Sequence, residues 1–291
     1  MIKRTLYFEN PAILTTRDEQ LVITFAKDPG IPDIVKSHTI PVEDIGVVVL
    51  DNKQITISLG LLNKLIGNNA AVITCDDHHL PISLFMPLTG NTIQTERFPE
   101  QIGASVPLRK QLWQQTIQAK LTNQAWLLKK EGFDAGYLLN CSKNVKSGDA
   151  ENHEARGAAF YWYRIFSNYL DDFKRGREEA PPNNLLNYGY AVLRAIMARS
   201  LVATGLLPTL GIHHRNRYNA YCLADDIMEP YRPFVDEMVL RVLADKVDIS
   251  ELSKELKKRL LSIPVIDVQM DGQKSPLMIA MQRTAASLFN S

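Results

Sequence analysis

The spacing of the apolar residues changes once along this chain, near residue 90, and that change limits the folds open to it. Before residue 90 the apolar residues form short runs rich in Val, Ile and Thr, separated by turn-forming residues, which is typical of strands. After residue 90 they recur at helical spacing over long stretches. We therefore predict an α+β two-domain protein, with an N-terminal β-sandwich over residues 1–90 and a larger all-α helical domain over residues 91–291. The polar segment 87–95 is the predicted linker.

The predicted elements follow this division. In the first part we predict one helix at 59–66 and strands at 5–8, 12–16, 21–25, 45–50, 55–58, 71–75 and 81–85. In the second part we predict helices at 108–130, 134–139, 149–167, 183–204, 219–244, 249–261 and 275–289.

The charge balance excludes a protein that binds polyanions through its net charge alone. The chain has 33 Lys+Arg against 32 Asp+Glu, for a formal net charge of +1. Residues 1–90 carry 7 basic and 10 acidic side chains and the rest carry 26 and 22, so we expect any polyanion to meet the second part. Three scattered cysteines form neither a disulfide framework nor a zinc pattern, and no apolar run is long enough to span a membrane. We expect a cytoplasmic protein.

Common nucleotide and nucleophile motifs are absent from the sequence. It contains no G-x-x-x-x-G-K-[ST] loop, no G-x-G-x-x-G fingerprint and no G-x-S-x-G elbow. The remaining candidates for chemistry are carboxylates and histidines at two places in the predicted helical domain.

The first place is the start of the predicted helix 149–167. Asp149 is an expected N-cap, whose carboxylate accepts a hydrogen bond from a free backbone N–H. Glu151 is expected to be a first-turn acid that faces the helix dipole. Glu154 differs because Ala158 follows it one turn later, so its carboxylate lies at or near a face of small residues. There it is either an edge residue in solvent or a buried acid that needs a cation.

The second place is the polar segment 211–233. Either Asp225 or Asp226 can share a helical face with Glu229. Pro230 and Pro233 should end or kink the helix just after Glu229. The alternative interpretation is a solvated, salt-bridged turn.

Two histidines, His213 and His214, precede these acids. Two carboxylates and one imidazole form a suitable ligand shell for Mg²⁺ or Mn²⁺, and the single nitrogen ligand favours Mn²⁺. The alternative is a pair of loop histidines without a ligand.

Basic and aromatic side chains are interleaved through the same segments. A hard cation ringed by arginines and aromatics indicates phosphodiester chemistry on nucleic acid, the alternative being a mixed, solvated surface. The basic residues that we predict to contact DNA are Arg156, Arg164, Lys174, Arg175, Arg177, Arg215 and Arg217.

Short segments in a fixed order carry a family resemblance: Leu112-Trp113, 120–124, 148–156, 186–193, 205–208, Gly211, His214 and 226–236. Together they resemble the CRISPR-associated integrase, the DNA-inserting subunit of CRISPR spacer acquisition, in the form found in type II systems. The resemblance covers essentially the whole chain. It implies an N-terminal β-sandwich and a C-terminal helical domain, in agreement with the change in periodicity.

The resemblance also implies a metal site made of an acid, a histidine and a second acid. Carried over to this sequence, these ligands look like Glu154, His214 and Glu229. The interval of 15 residues between His214 and Glu229 is similar to the type II pattern. Asn219 stands where many members have proline, a departure that touches no ligand.

The implied function is that of a metal-dependent DNA integrase and endonuclease. The 3′-hydroxyl of a short DNA fragment attacks a phosphodiester at the leader–repeat junction, aided by Mg²⁺ or Mn²⁺. The implied assembly is a homodimer formed through the β domains, two of which flank a small dimeric ferredoxin-like partner in a heterohexamer. The alternatives are a stand-alone, structure-selective, metal-dependent DNA nuclease and a DNA scaffold with structural carboxylates. A strand-transfer product distinguishes the first reading from the second, and metal-dependent activity of any kind excludes the third.

Overall fold

The protein is described by a computed structural model over residues 3–25, 37–176 and 178–289. The chain divides into two compact units, Met1–Gly90 with Pro264–Ala280, and Asn91–Ile263 with Met281–Ser291. Within the described ranges, no helix is long and apolar enough to cross a membrane. The boundaries predicted at 1–90 and 91–291 therefore differ from these units in one segment, 264–280.

Two four-stranded sheets make up most of the first unit. Its first eight strands are β1 (Arg4–Phe8), β2 (Ala12–Arg17), β3 (Gln20–Phe25), β4 (Ser37–Pro41), β5 (Ile45–Leu50), β6 (Thr56–Ile57), β7 (Ala71–Cys75) and β8 (Pro81–Phe85). One sheet has the order β1-β5-β7-β8, and the other has the order β4-β3-β2-β6. In the first sheet β1, β5 and β7 run parallel, while β8 pairs with β7 in the antiparallel direction.

The core of this unit joins both sheets. Leu14 and Leu21 from the second sheet cluster with Val48 and Val72 from the first. Helix α1 (Leu59–Gly67) adds Leu61 to the same cluster, and its N-terminus is capped by Ser58, whose side chain accepts a hydrogen bond from the Leu61 N–H. Strands of both sheets thus contribute apolar residues to one core, and the predicted β-sandwich is confirmed.

The segment 264–280 adds a hairpin and the start of a helix to this unit. Strands β9 (Asp267–Met270) and β10 (Gln273–Pro276) pair in the antiparallel direction, and helix α10 (Leu277–Phe289) follows directly. A Cβ placed at Gly46 of β5 would come within 2.7 Å of Met278 Cε, so the helix start packs directly on this strand. The Asp271-Gly272 turn has positive φ at both residues, which suits a two-residue hairpin. An Asp-Gly pair is therefore a local sequence signal for this hairpin.

The described part of the second unit up to residue 263 is helical, as predicted. Its helices are α2 (Gln94–Gly103), α3 (Val106–Lys130), α4 (Gly136–Asn144), α5 (His153–Ile165), α6 (Asn183–Ala203), α7 (Cys222–Met228), α8 (Arg232–Ala244) and α9 (Lys254–Leu260). The predicted helix 219–244 divides into α7, a short 3-10 helix at Glu229–Tyr231, and α8. Pro230 and Pro233 are the cause, since neither can donate the backbone hydrogen bond that a continuous helix needs.

Helix α2 begins inside the segment that we predicted as a linker. Its polar residues contact the chain just after α6: Arg97 donates a hydrogen bond to the Thr204 carbonyl, and Gln101 exchanges hydrogen bonds of 3.0 and 2.8 Å with the Leu207 backbone. None of the residues of α2 is buried. This helix is therefore held mainly by polar contacts with residues far away in the sequence.

Candidate active site

Glu154 and Glu229, the two predicted acidic ligands, converge on a lysine. The Nζ atom of Lys120 lies 2.8 Å from Glu154 Oε1 and 2.7 Å from Glu229 Oε2. Lys120 belongs to α3, Glu154 to the first turn of α5, and Glu229 to the 3-10 helix after α7. Lys120 and Glu229 are only 7% and 3% exposed. Of the two alternatives for Glu154, the acid with a cation as its partner is the one found, and that cation is the buried ammonium of Lys120.

Two local features bring Glu154 to this point. The Asp149 carboxylate accepts hydrogen bonds from the backbone N–H groups of His153 and Glu154, at 2.8 and 2.9 Å, as predicted, although the helix begins at His153 and its N-cap position is Asn152. Gly157 then lets α5 approach α3 closely, because a Cβ there would stand 2.3 Å from Leu121 Cδ2. Leu121 is adjacent to Lys120 in the sequence, so this close helix contact sets the distance between Glu154 and the ammonium.

Glu229 is held between two cations. Its Oε1 atom lies 3.0 Å from an Arg232 guanidinium nitrogen, while its other oxygen faces Lys120. Burial alone would raise the pKa of Glu229, but the charges of Arg232 and Lys120 outweigh burial and hold that pKa below its usual value. Burial likewise disfavours the Lys120 ammonium, and the charges of Glu229 and Glu154 outweigh it to raise the pKa of Lys120. Lys120, Glu229 and Arg232 are therefore ionised at neutral pH.

His214, the third predicted ligand, is oriented by Asp226. The Asp226 carboxylate is fully buried and pairs with His214 Nδ1, and the same hydrogen bond raises the pKa of His214. Because Asp226 engages Nδ1, the Nε2 atom is the one left for a ligand. His213 instead stacks on Trp113, with ring centroids 4.1 Å apart and planes 3° from parallel. The two neighbouring histidines thus have different roles.

Asp225 is bound by neighbouring protein side chains and is not one of the predicted metal ligands. Its two carboxylate oxygens accept hydrogen bonds of 2.6 and 2.8 Å from Arg194, and Asn219 donates a further one at 2.7 Å. Of the two aspartates that could share a face with Glu229, Asp226 is the one linked to His214. The carboxylate of Asp225 is therefore engaged by the Arg194 guanidinium, which donates two hydrogen bonds, and by the side-chain amide of Asn219.

The side chains at this site fit a divalent cation by their chemistry. Across the described ranges, no group of three His, Cys, Asp or Glu side chains stands close enough to hold a metal ion in the present arrangement. Glu154 and Glu229 nevertheless direct one oxygen each to a single point at which a positive charge already sits. The charges of both glutamates also contribute to the raised pKa of His214. Oxygen donors with one imidazole suit Mg²⁺ or Mn²⁺, and the complete ligand trio stays a prediction.

The basic residues predicted to contact DNA fall into two groups. Arg156, Arg215 and Arg217 are exposed, and the Arg217 guanidinium lies 4.7 Å from the centre of the Tyr218 ring. Arg215 and Arg217 line a cavity of about 490 Å³ that also reaches His214 and has a mostly apolar wall. Arg156 already hydrogen-bonds Tyr137, so Arg215 and Arg217 are the exposed cations of this group that stand beside His214.

The other predicted DNA contacts already have protein partners. Arg164 stacks 3.7 Å from the centre of the Phe160 ring, and Lys174 lies 3.0 Å from a Glu179 oxygen. Arg175 donates hydrogen bonds of 2.8 and 2.9 Å to the side chains of Asn183 and Asn187 of α6. Arg177 lies outside the described residues.

Two residues of this site were not assigned a role from the sequence. Lys120 is a charged residue on the face of α3 that also carries the buried Ile117 and Leu121, and a charge at a helical core position is a signal that could have identified it. Arg232 follows Glu229 at a spacing of three residues, but across a break between two helices, so helical pairing rules alone did not predict it.

Comparison with known proteins gives a consistent result. The family described as CRISPR associated protein Cas1 matches residues 6–262. The CRISPR-associated endonuclease Cas1 of Neisseria meningitidis serogroup C (strain 8013) is 34% identical over 289 residues, which are 99% of this chain and 91% of that protein. A casposase bound to integration product has the same fold, with a TM-score of 0.76 and 20% identity over 100% of this chain and 91% of its own. A chain of a Cas6-RT-Cas1–Cas2 complex gives a TM-score of 0.73 and 20% identity over 99% of this chain and 34% of its own. This protein belongs to the Cas1 family of CRISPR-associated proteins.

Proposed function

We propose that this protein is a metal-dependent DNA integrase and endonuclease of CRISPR adaptation. It joins the 3′-hydroxyl of a short DNA fragment to a phosphodiester at the leader–repeat junction by transesterification. The observation that carries the proposal is the convergence of Glu154 and Glu229 on one point in a member of the Cas1 family. Two similar proteins support it, since the Neisseria relative is named an endonuclease and the casposase is bound to an integration product.

Glu154, His214 and Glu229 are the residues that would hold Mg²⁺ or Mn²⁺. Such an ion, when bound, offsets charge on the phosphate and lowers the pKa of the attacking hydroxyl. Asp226 keeps the His214 ring in one orientation, and Arg232 keeps Glu229 in place through its Oε1 atom. These neighbours limit the motion of the ligands, which matters because small displacements at a reacting centre are costly.

DNA would reach this site past exposed cations. Arg215 and Arg217 stand on the wall of the cavity that contains His214. Arginine side chains bind phosphate oxygens in pairs, and such contacts position the DNA backbone without reading its sequence.

The proposed assembly is a homodimer formed through the β domain, combined with a small ferredoxin-like partner in a heterohexamer. Strand β8 is an edge of its sheet and exposes Ile82 and Phe85, at 65% and 38% of their surfaces. An apolar edge of this kind is covered in most proteins, and a second copy of the chain is a suitable cover. A neighbouring fold occurs in a chain of a complex named for both Cas1 and Cas2, which supports a Cas partner. A full-length protein that sediments as a monomer at micromolar concentration would contradict the dimer.

Alanine replacement of the three ligands tests the proposed activity. A labelled DNA fragment is incubated with a plasmid or duplex that holds a leader–repeat junction, in Mn²⁺ or Mg²⁺. Glu154→Ala, His214→Ala and Glu229→Ala should each lower strand transfer by about a hundredfold or more, because transition-state charge loses its stabilisation. Near-normal integration by Glu154→Ala contradicts the assignment.

The matched control is Glu151→Ala. Glu151 lies just before α5 and pairs with Lys146 at the surface, so its removal changes the local charge without touching the site. It should leave strand transfer close to the wild-type level. If wild-type protein cuts DNA by hydrolysis and forms no joined product, the stand-alone nuclease replaces the integrase.

A further inference from the structure

The charges around Lys120 cancel in the DNA-free protein. Two carboxylates, Glu154 and Glu229, face two cations, Lys120 and Arg232, within ion-pair distance. A divalent cation bound by both glutamates therefore adds two positive charges to a group that is already neutral. In a buried place such an excess is strongly unfavourable, since Coulomb energies rise as the dielectric constant falls.

Lys120 and the divalent cation need the same oxygen atoms. The ammonium contacts Glu154 Oε1 and Glu229 Oε2, one from each carboxylate, and Arg232 occupies the second oxygen of Glu229. Both oxygens of Glu229 face a cation, so metal ligation by this glutamate competes with the ammonium or with Arg232. The ammonium is thus a direct competitor for the ligands.

The side chain of Lys120 is mostly buried, so a displaced ammonium has little access to bulk solvent. Lys120 lies in the middle of α3, with only 9% of its side chain exposed, between the fully buried Ile117 and Leu121. Its Nζ atom has to stay within a few ångströms of the glutamates. The repulsion between ammonium and metal ion is therefore retained after the metal binds, unless an anion enters to offset it.

We propose that Lys120 is a positioning residue that makes binding of the divalent cation depend on DNA, a role that rests on the proposed function above. In the free protein the ammonium holds Glu154 and Glu229 together and weakens their affinity for the metal. A DNA phosphodiester brings one negative charge to the same place, accepts a hydrogen bond from the displaced ammonium, and offsets half of the charge that the metal adds. The site then acquires its metal when its substrate is present. Because coupled binding is reciprocal, the metal in turn tightens the binding of DNA.

The test measures Mn²⁺ affinity by the electron paramagnetic resonance signal of free Mn²⁺. Full-length wild-type protein and Lys120→Met are titrated alone and with a DNA duplex whose 3′ ends lack the hydroxyl group, so that no joining occurs. In the wild type, DNA should tighten Mn²⁺ binding by about tenfold or more. Lys120→Met should bind Mn²⁺ about tenfold more tightly than the wild type without DNA, and DNA should change its affinity by less than about threefold.

The matched control is Lys130→Met on the same helix. Lys130 pairs with the buried Glu237, which keeps Arg241 as a second partner, so this variant loses a lysine of the same helix away from Glu154 and Glu229. Its Mn²⁺ affinity should equal that of the wild type. Lys120→Gln is the second variant if Lys120→Met folds poorly, because it removes the charge and keeps a hydrogen-bonding end. Mn²⁺ should also raise the melting temperature more in the Lys120 variants than in the wild type, as ligand linkage predicts.

The results separate two failures. If the wild type binds Mn²⁺ but neither Lys120 variant binds it more tightly, the ammonium is only a structural ion-pair partner and the inference is overturned. If the wild type binds no Mn²⁺ with or without DNA, the proposed metal site itself is wrong.

Discussion

The carboxylate of Asp226 binds His214 through both its ring and its backbone. It pairs with Nδ1 of the imidazole and accepts from the His214 backbone N–H at 3.3 Å, while the His213 N–H donates to it at 2.9 Å. Gly211 is required for this arrangement, because a Cβ there would stand 2.3 Å from the His214 carbonyl oxygen. A buried acid of α7 thus sets the position of a histidine on a loop.

Asp226→Asn should lower the pKa of His214, since the hydrogen bond to Asp226 is the largest cause of its rise. An NMR titration of the imidazole measures that pKa. Because the pKa of His214 is raised in the folded protein, the pair stabilises the fold fully at pH values below 6.5, the usual pKa of histidine. This stabilisation is lost as the pH rises through the pKa of His214 in the folded state.

In the same variant, Asp226→Asn, strand transfer should fall by about ten- to a hundredfold, as for other groups that orient a ligand. Asp225→Asn, which removes the partner of Arg194, should leave the His214 pKa unchanged. An unaltered titration of His214 in Asp226→Asn speaks against this role.

Gly157→Ala should separate α5 from α3 and weaken the site. The new methyl group would overlap Leu121 Cδ2, and overpacking costs about 1–3 kcal/mol, whereas the helix propensity of alanine returns about 1 kcal/mol. Thermal unfolding should therefore show a net loss of stability, and strand transfer should decline because Glu154 lies one turn away. Gly67→Ala, at a helix end with free space around it, is the control and should be neutral or slightly stabilising. Equal behaviour of the two variants contradicts the close contact.

Asp236→Asn should change how stability depends on pH. Asp236 is 1% exposed and accepts hydrogen bonds from Tyr161 and Tyr190, yet burial raises its pKa from 3.8 to about 6. Between these values the folded state holds a proton that the unfolded chain releases, so the free energy of unfolding falls as pH rises and levels off above about 6.

The asparagine variant lacks this loss of stability. Urea unfolding of both proteins from about pH 4 to about pH 7 should show the difference moving by roughly 2 kcal/mol in favour of the variant. Asp271→Asn, on the exposed β9–β10 turn, should show no such drift. If the difference in unfolding free energy between the two proteins stays constant across this range, Asp236 is not the source of the pH dependence.

Arg217→Ala should weaken DNA binding in a way that salt reveals. The logarithm of affinity falls with the logarithm of salt concentration by about 0.9 per neutralised phosphate on duplex DNA, so losing one contact should reduce the slope by about one unit. Glu154→Ala should keep DNA affinity and lose strand transfer. Arg17→Ala, an exposed arginine of the first unit, is the control. Identical slopes for the wild type and a variant without Arg215 and Arg217 would place the DNA elsewhere on the protein.

Local sequence patterns were sufficient for the regular elements. The strands at Ile45–Leu50, Ala71–Cys75 and Pro81–Phe85 have the predicted bounds, because strand periodicity and turn residues act over a few neighbouring positions. The cap at Asp149 and the helix break at Glu229–Tyr231 were predictable for the same reason. The placement of α2 and of segment 264–280 was not, since both depend on contacts with residues far away in the chain.

The sequence by itself determined the two-part fold and the residue types of the candidate site, because periodicity and motif order are properties of the chain. Only the tertiary structure decided which of two adjacent acids and which of two adjacent histidines are partners, since Asp225 and Asp226 differ by their contacts alone. It also decided that Lys120 stands between Glu154 and Glu229. Those three residues come from separate helical segments, and electrostatic energy depends on distances in space, which the order of residues does not specify.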